Sequence, residues 1–511
     1  MTDTSANNKR IAKNTFILYV RMLCTMGISL YTSRIILDTL GIEDFGIYNA
    51  VGGVIAVWGF INSAMSNSTS RYLTYYLGLN NLTQLKKTFT TSLLIHLLIA
   101  CIILIIAETI GLWFLYEKMN IPYTRFNAAF WVYQLTVLSS VISVLAVPYN
   151  ASIISHEKMG AFAYITIIDV TIKLAIVYIL YAVESDKLIT YSLLLLISQI
   201  LIQCVYMLYC RHKFKECTFS LKLDKSLFKE MSSFAGWSFI GNIAYVTYTH
   251  GLNLLLNVFF GPSVNAARGI AVQVQSAIVK FITSFQTAIN PQITKSYAEK
   301  NYLRLYQLIH TSTRYSFYLS LFLALPVLIH TEFILDLWLK KYPEYTISFT
   351  RIMIVISMMN IFSNPCNIAA QATGTIKRYQ QVEGGLLLSI LPISYFALYC
   401  SFSPNSVFYI NLFICIITQI ARIIILHKLI KLSYAEYIKE ISRILLVIIL
   451  SSLFSLSISH IITVTSFIDF LLFTFTICLT NILIIFFIGI PNTEKQFILQ
   501  KIQLYIKPSN K

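Results

Sequence analysis

Apolar runs of about 20 residues recur along almost the whole 511-residue chain, and they constrain the fold more than any other feature of the sequence. A run of this length crosses the roughly 30 Å hydrocarbon core of a bilayer as a helix. Charged residues make up 12% of the chain, whereas an ordinary soluble protein has about 25%. Because a water-exposed surface cannot be built from that composition, the sequence predicts an all-α integral membrane protein.

The apolar runs predict about fourteen transmembrane helices. They are placed at 12–36, 44–68, 88–115, 124–147, 160–182, 188–210, 232–259, 264–290, 309–330, 346–372, 379–400, 406–427, 441–462 and 466–490. The longest polar segment follows helix six and divides the chain. We therefore predict an N-lobe at 1–210, a basic cytoplasmic linker at 211–230, a C-lobe at 231–430, two extra helices at 431–490 and a cytoplasmic tail at 491–511.

The two halves carry a weak internal repeat. A gap-free shift of 220 residues pairs identical residues, namely Gly41 with Gly261, Asn81 with Asn301 and Leu85 with Leu305. Both copies have the same order of an apolar helix, a short turn with glycine, a second helix and a polar segment. The sequence therefore predicts two six-helix repeats. Six crossings is an even number, so the second repeat enters from the same side as the first, which is the parallel arrangement.

Lysine and arginine are distributed unevenly between alternate loops. With the N-terminus in the cytoplasm, the outside loops hold only Lys118, Arg125, Lys187, Lys340 and Lys341. Basic residues are retained on the cytoplasmic side of membrane proteins, so the asymmetry predicts that both termini are cytoplasmic. The same rule explains the formal net charge of +17 without a nucleic-acid partner.

Polar side chains within three predicted helices, the first, seventh and eighth, are candidate substrate contacts. An ionisable group at membrane depth is costly and needs a partner or a water-filled cavity. The candidates are Arg21, Arg34, Asn242, Arg268, Gln275 and Lys280. Their basic excess predicts an anionic ligand, and phosphate or pyrophosphate suits the planar donor fork of a guanidinium.

Two aspartates are candidate sites for a coupling ion, H⁺ or Na⁺. Asp38 follows Arg34 by four residues, and Asp169 precedes Lys173 by four. Opposite charges meet on a helix at this spacing, so a structural ion pair is an alternative for both. Neither aspartate stands out from the sequence alone.

Three further arginines, Arg314, Arg351 and Arg422, lie near predicted helix ends. We expect their side chains to extend to the membrane interface.

Motifs of catalysis and of cofactor binding are absent from the sequence. It has no nucleotide-binding GxxxxGK[ST], no HExxH and no GxSxG. The nine cysteines stand singly, without metal-ligand spacing. We therefore predict no enzyme activity, no metal site and no cofactor.

The first two helices carry a distinctive combination of motifs. Between Arg10 and Gly78, one helix ends in the turn LGIEDFGIY and the next ends in SRYLTYYLG. The chain resembles, over nearly its full length, the lipid-linked oligosaccharide flippases of bacterial O-antigen synthesis (Wzx-like), in the multidrug/oligosaccharidyl-lipid/polysaccharide exporter superfamily. One departure is that residues 45–68 carry no charge, whereas the related peptidoglycan-precursor flippases place an arginine there.

The resemblance implies a fold like that of MATE and MurJ proteins, with two six-helix lobes around a central cationic cavity. It implies alternating access that moves an undecaprenyl-pyrophosphate-linked oligosaccharide, an O-antigen or other surface polysaccharide unit, across the bacterial cytoplasmic membrane. Arg21, Arg34, Arg268 and Lys280 would contact the anion. Membrane lipid would be a second partner, beside the polysaccharide polymerase and glycosyltransferases of the lipopolysaccharide or other cell-envelope pathway.

Three alternatives remain at this stage. A cation-coupled antiporter of drugs or organic cations in the same superfamily would favour acidic and aromatic groups in the lumen. A membrane glycosyltransferase or polymerase would need a large outside loop, and the one at Gly41 to Asp44 is short. In a lipid scaffold without transport, the polar residues within helices would be structural.

Overall fold

The computed structural model describes residues 2–56, 59–119, 121–218, 224–339, 341–492, 494–496 and 499. Within these residues the chain forms helices and no strand. The α-helices are α1 (Thr2–Ala56), α2 (Gly59–Gly78), α3 (Leu82–Ile106), α4 (Leu112–Glu117), α5 (Phe126–Ser155), α6 (Met159–Tyr181), α7 (Lys187–Lys213), α8 (Lys225–Phe260), α9 (Pro262–Ala298), α10 (Tyr302–Ile329), α11 (Thr331–Leu339), α12 (Thr346–Asn360), α13 (Ser363–Ala372), α14 (Lys377–Tyr399), α15 (Asn405–Ile430), α16 (Tyr434–Ile461) and α17 (Phe467–Ile484). The predicted all-α membrane fold is confirmed.

Eleven helical segments of the described chain are long and apolar enough to cross a membrane. The other three predicted crossings correspond to the helical segment that ends with α2, to α8 and to α9. The helices α8 and α9 are also long, with 36 and 37 residues, but polar side chains lower their hydropathy. Since a polar helix face cannot pack against lipid, α8 and α9 need protein or water beside them.

The predicted repeat has a counterpart in the backbone. Gly41 breaks α1 with a φ of +79°, and Gly261 separates α8 from α9 with a φ of +81°. This left-handed region is easily reached by glycine. Asn80 and Lys300, also 220 residues apart, have φ values of +52° and +56°. The same backbone turns therefore recur at equivalent positions of the two halves.

Helix ends obey the same 220-residue spacing. The second helix of each half ends at Gly78 and at Ala298, and the next helix begins at Leu82 and at Tyr302. The first of these ends lies ten residues beyond the predicted one at 68. The additional residues SRYLTYYLG continue the helix because this segment packs against neighbouring helices. Thr69, Leu73 and Thr74 are all buried there.

The chain divides into two compact units whose boundaries do not follow the sequence halves. Unit 1 comprises 1–243, 287–302 and 368–381, and unit 2 comprises 244–286, 303–367 and 382–511. Unit 1 thus combines the first half of the chain with three short segments of the second half. The lobe boundaries given above, 1–210 and 231–430, stay a prediction.

In unit 1, Arg125 connects α1 with the segments that precede α5 and α7. Arg125 donates hydrogen bonds of 2.8 and 2.6 Å to the two oxygens of Asp44, and of 2.6 and 3.2 Å to those of Asp186. Asp186 also caps α7 by accepting the N–H groups of Leu188 and Ile189. Burial would raise the pKa of Asp186, but the hydrogen bonds from Arg125 and the cap outweigh it, so that this pKa is lowered.

In unit 2, two arginines expected at the membrane interface are instead buried in ion pairs. Arg422 of α15 approaches the Glu383 carboxylate of α14 to 2.5 Å. Arg314 of α10 lies 2.7 Å from Glu440 of α16. The prediction that these side chains extend to the interface is wrong, because acids on other helices hold them inside the bundle. Arg351 donates to the Leu328 carbonyl at 3.1 Å and keeps an exposed position.

Replacement of Arg422 by methionine is expected to lower the free energy of unfolding by about 3–5 kcal/mol, because it leaves the Glu383 carboxylate buried without a counter-charge. Thermal unfolding in detergent measures the loss. Lys428→Met, which removes an exposed cation from the same helix, is the control. The double change Arg422→Met/Glu383→Gln should recover much of the stability. Equal midpoints for Arg422→Met and Lys428→Met would refute the pairing.

Candidate functional site

A polar cavity of about 430 Å³ lies within unit 1, among helices α2, α5, α6 and α7. Its lining is Ser66, Ser143, Ala146, Val147, Asn150, Thr166, Asp169, Gln199, Ile202, Gln203 and Tyr206. Apart from Asp169, no lining residue carries a charge at neutral pH. A cavity of this size and polarity inside an apolar bundle has room for water and for a small hydrated ion.

Three oxygen atoms in the cavity wall are buried without a hydrogen-bond donor. They are Oδ1 of Asn150, Oδ1 of Asp169 and Oε1 of Gln203, one from each of α5, α6 and α7. The Gln203 amide is oriented because its nitrogen donates to the Leu145 carbonyl at 3.3 Å. Buried acceptors are costly unless a donor or a cation satisfies them. The cavity therefore presents a converging set of acceptors to water or to a hard cation, which prefers oxygen ligands.

Asp169 is held on its other side by the lysine one turn further along α6. The Lys173 ammonium lies 2.8 Å from Oδ2 of Asp169, so the ion pair that the four-residue spacing suggested is formed. This contact engages one carboxylate oxygen and leaves Oδ1 at the cavity. Asp169 can therefore belong both to a helix-surface pair and to the acceptor set of the cavity.

Arg21 of α1 lies near the same region. Its guanidinium is stacked over the ring of Phe162 at 4.6 Å from the centroid, and Phe162 packs against the hydrophobic cluster that contains Tyr206. Tyr206 and Asp169 both line the cavity. Unit 1 thus brings together Arg21 and Asp169, two residues that the sequence predicted for different roles.

The other candidates of unit 1 do not join this group. Arg34 and Asp38 are both exposed on α1. The structure forms no ion pair between these two residues within 4 Å, although their spacing permits one. Asn242, near the end of the α8 segment that belongs to unit 1, is half-buried. Their roles as substrate or ion contacts stay predictions.

In unit 2, Arg268 is buried between its own helix α9 and the preceding helix α8. It donates to Oδ1 of Asn253 and, at 2.9 Å, to the Thr249 carbonyl. Gln275 is half-buried and Lys280 is exposed on the same helix. Arg268 therefore joins the two helices of a hairpin, a structural task that the sequence did not reveal.

Sequence reasoning missed the amide groups of the cavity. Asn150, Gln199 and Gln203 are uncharged, so a search for intramembrane charges passes over them. The available signal was the spacing of Gln199 and Gln203, one helical turn apart in the otherwise apolar α7. Within the described residues, no group of three or more His, Cys, Asp or Glu is placed to hold a metal ion.

The family of the chain follows from comparison with known proteins. The family model described as polysaccharide biosynthesis protein matches residues 11–297, more than half of the chain. The chain belongs to the polysaccharide biosynthesis protein family. A second model, MatE, matches residues 238–395, so this polysaccharide biosynthesis protein is a member of the multidrug/oligosaccharidyl-lipid/polysaccharide exporter superfamily. The matched families are transporters and flippases rather than enzymes. No curated protein matches the sequence.

Solved structures with the same fold include MATE transporters. A multidrug resistance MATE transporter in an outward-facing conformation has a TM-score of 0.72 at 14% identity, covering 83% of this chain and 96% of its own. MATE in a bent conformation has a TM-score of 0.73 at 13% identity, with the same coverage. A superfamily transporter from Pyrococcus furiosus, described by the reverse polarity of its binding pocket, has 0.70 at 13%, also covering 83% and 96%. The polysaccharide biosynthesis protein therefore has the MATE fold that the resemblance implied.

Arg268→Ala is expected to lower the thermal midpoint of the polysaccharide biosynthesis protein. It removes two charge-assisted hydrogen bonds, each of which contributes about 1.5–3 kcal/mol. Lys280→Ala, on an exposed position of the same helix, should leave the midpoint unchanged. Differential scanning fluorimetry in detergent compares the two. A midpoint equal to that of wild type in Arg268→Ala would show that the hairpin does not depend on the guanidinium.

Proposed function

We propose that this protein is a flippase that moves an undecaprenyl-pyrophosphate-linked oligosaccharide across the bacterial cytoplasmic membrane by alternating access. The substrate would be an O-antigen or other surface polysaccharide unit, assembled by glycosyltransferases at the cytoplasmic face and consumed by a polymerase outside. Both termini would lie in the cytoplasm, as the loop charges predict. The membership in the polysaccharide biosynthesis family supports a lipid-linked sugar as the substrate class.

The observation that carries the proposal is a set of cations without acidic partners. The structure places none of Arg21, Arg34, Arg268 and Lys280 within 4 Å of a described carboxylate oxygen, whereas it pairs Arg125, Arg314 and Arg422 with acids. Arg268 is buried and Arg21 is half-buried, and a positive charge within a helix bundle is costly when no anion compensates it. A pyrophosphate group would supply that anion, and Asn242 and Gln275 could add neutral hydrogen bonds.

The runner-up is a cation-coupled antiporter of drugs or organic cations. The match to the MatE model favours it, and so does the acceptor-lined cavity with Asp169. The charge of the binding pocket distinguishes the two functions. For the Pyrococcus furiosus transporter of this superfamily, a binding pocket of reverse polarity is described as suggesting a different function. In this chain the cations Arg21, Arg34, Arg268 and Lys280 outnumber the acid Asp38 among the candidate site residues of helices α1 and α9, which favours an anionic substrate.

The cavity in unit 1 would couple transport to H⁺ or Na⁺. Either ion could bind at Oδ1 of Asp169, with Oδ1 of Asn150 and Oε1 of Gln203 as further ligands of Na⁺ or as partners of water. Asp38, the other candidate, is exposed and has no such surroundings. Ion binding at Asp169 would compete with Lys173 for the carboxylate charge. Occupancy of the cavity would therefore weaken the Asp169–Lys173 ion pair on α6.

Outward movement of a fluorescent undecaprenyl-pyrophosphate oligosaccharide in liposomes tests the substrate. Wild type should transport it, and Arg21→Ala should reduce the rate roughly ten-fold or more, because a charge-assisted hydrogen bond contributes about 1.5–3 kcal/mol. Arg21→Lys should lie between, and Lys13→Ala, an exposed cation of the same helix, should transport normally. If wild type moves no lipid-linked sugar but exchanges an organic cation for Na⁺ or H⁺, the antiporter function replaces the flippase.

A Na⁺ site at Asp169 predicts that Na⁺ stabilises the wild-type protein against heat, relative to choline. A ligand at a hundred times its Kd adds about 2.7 kcal/mol. Asp169→Asn should lose this response, while Asp38→Asn should retain it, since Asp38 does not line the cavity. Thermal midpoints across Na⁺ concentration give the measurement. A normal response in Asp169→Asn would remove the cavity from the coupling mechanism.

A further inference from the structure

One end of unit 1 is held together by contacts between the first half of the chain and the three segments of the second half. The connecting side chains come from the end of α2 and from the loop between α5 and α6. They meet the start of α8, the last turns of α9 and the end of α13. This is the end of unit 1 that the loop charges predict to be cytoplasmic. Transport by alternating access requires such contacts to be releasable.

Arg71 makes the most unusual of these contacts. Its Nε donates to the Gln371 carbonyl at 3.1 Å and its Nη2 donates to the Ala372 carbonyl at 2.9 Å. These carbonyls lie at the C-terminal end of α13, where the helix dipole is negative, and the Gln371 carbonyl also accepts the Gly374 N–H at 3.0 Å. Gly374, with a φ of +80°, leaves room for the guanidinium, because a Cβ there would come within 2.8 Å of Nη2.

The charge of Arg71 is not compensated by an acid. The side chain is 9% exposed, and the described part of the chain places no carboxylate oxygen within 4 Å of it. Aromatic rings of Tyr72, Tyr75 and Phe234 surround the guanidinium at 4.3, 4.8 and 5.8 Å from their centroids. Ring faces and carbonyl dipoles stabilise a cation. The Arg71 guanidinium can therefore still form an ion pair with an anion.

Two further contacts close the same end. The side chain of Glu157 is fully buried and accepts hydrogen bonds from Lys295 and, at 2.6 Å, from Gln292 of α9. Gly78 packs its backbone against α9 so closely that a Cβ would lie 2.9 Å from the Cβ of Ala298. Because a Cβ hardly ever approaches another that closely, a larger residue at position 78 cannot coexist with this arrangement.

We propose that Arg71 exchanges the two carbonyls that end α13 for the diphosphate of the substrate, so that arrival of the anion opens this end of unit 1. The proposal rests on the proposed function for the identity of the ligand. Hydrogen bonds between ionised partners are roughly twice as strong as those to neutral acceptors. A diphosphate therefore competes well for a guanidinium that now bonds only to neutral oxygens, and the planar donor fork fits it in the same way as it fits the paired carbonyls.

Opening and anion binding can be measured separately. The substitution Ser68→Cys places a thiol at a fully buried position, where the serine hydroxyl donates to the Met231 carbonyl of α8 at 3.1 Å. Its labelling by a maleimide, read by mass spectrometry, reports opening. Equilibrium binding of farnesyl diphosphate, with farnesol as the uncharged control, reports recognition of the anion. Both measurements use the full-length protein in detergent.

Two substitutions distinguish exchange from simple loosening. Gly78→Leu and Arg71→Gln both disrupt the closed end, so both should increase labelling at position 68 several-fold. Gly78→Leu should bind farnesyl diphosphate more tightly, because a larger fraction of the protein is competent to bind. Arg71→Gln should bind it roughly ten-fold more weakly, since a charge-assisted contact is lost. Arg71→Lys should fall between, and Arg378→Gln, an exposed cation of unit 1, should behave as wild type.

Other outcomes overturn the proposal in distinct ways. If Arg71→Gln and Gly78→Leu both bind the diphosphate as well as or better than wild type, Arg71 holds the closed end but takes no part in recognition. If Arg71→Gln leaves position 68 protected, Arg71 does not hold the end closed. If neither wild type nor Gly78→Leu binds farnesyl diphosphate, the proposed function fails together with the exchange.

Discussion

A guanidinium stays protonated inside a protein. Every arginine buried in a helix bundle therefore needs hydrogen-bond acceptors for its N–H groups and, for full compensation, a negative charge nearby. This chain meets the requirement in two ways. Arg125, Arg314 and Arg422 are paired with carboxylates of other helices or loops. Arg71 and Arg268 bond instead to neutral oxygens. The first class connects elements within each unit, and the second class is the positive charge for which we propose an anionic substrate.

The two ends of unit 1 are built from these different kinds of contact. At the start of α5, Arg125 binds two aspartates within the first half of the chain, and nothing from the second half is needed there. Beyond the end of α5, Glu157 and Arg71 reach segments of the second half. The 30 residues of α5 separate the two regions. A motion that separates the second-half segments from the rest of unit 1 would therefore leave the contacts of Arg125 with Asp44 and Asp186 intact.

The sequence predicts much of the fold because membrane helices are encoded locally. The length of apolar runs locates the helices, and the repeat spacing locates the glycine turns at Gly41 and Gly261. It predicts less about the buried charges. The partners of Arg422 and Arg314 lie 39 and 126 residues away on other helices, so their burial could not be read from position near a helix end. In the site, the Asp169–Lys173 pair follows from one-turn spacing, whereas the cavity depends on tertiary packing that brings Asn150 and Gln203 beside it.

Gly78 and Ala298 are equivalent positions of the two repeats, and they touch each other. The two copies of an ancestral helix end thus face one another across a gap that admits one methyl group. After duplication, neither copy could enlarge this residue unless the other became smaller, so the two positions are constrained as a pair. Among relatives, the summed volume of the two side chains should stay nearly constant while the individual residues vary, a covariation between sites separated by 220 residues.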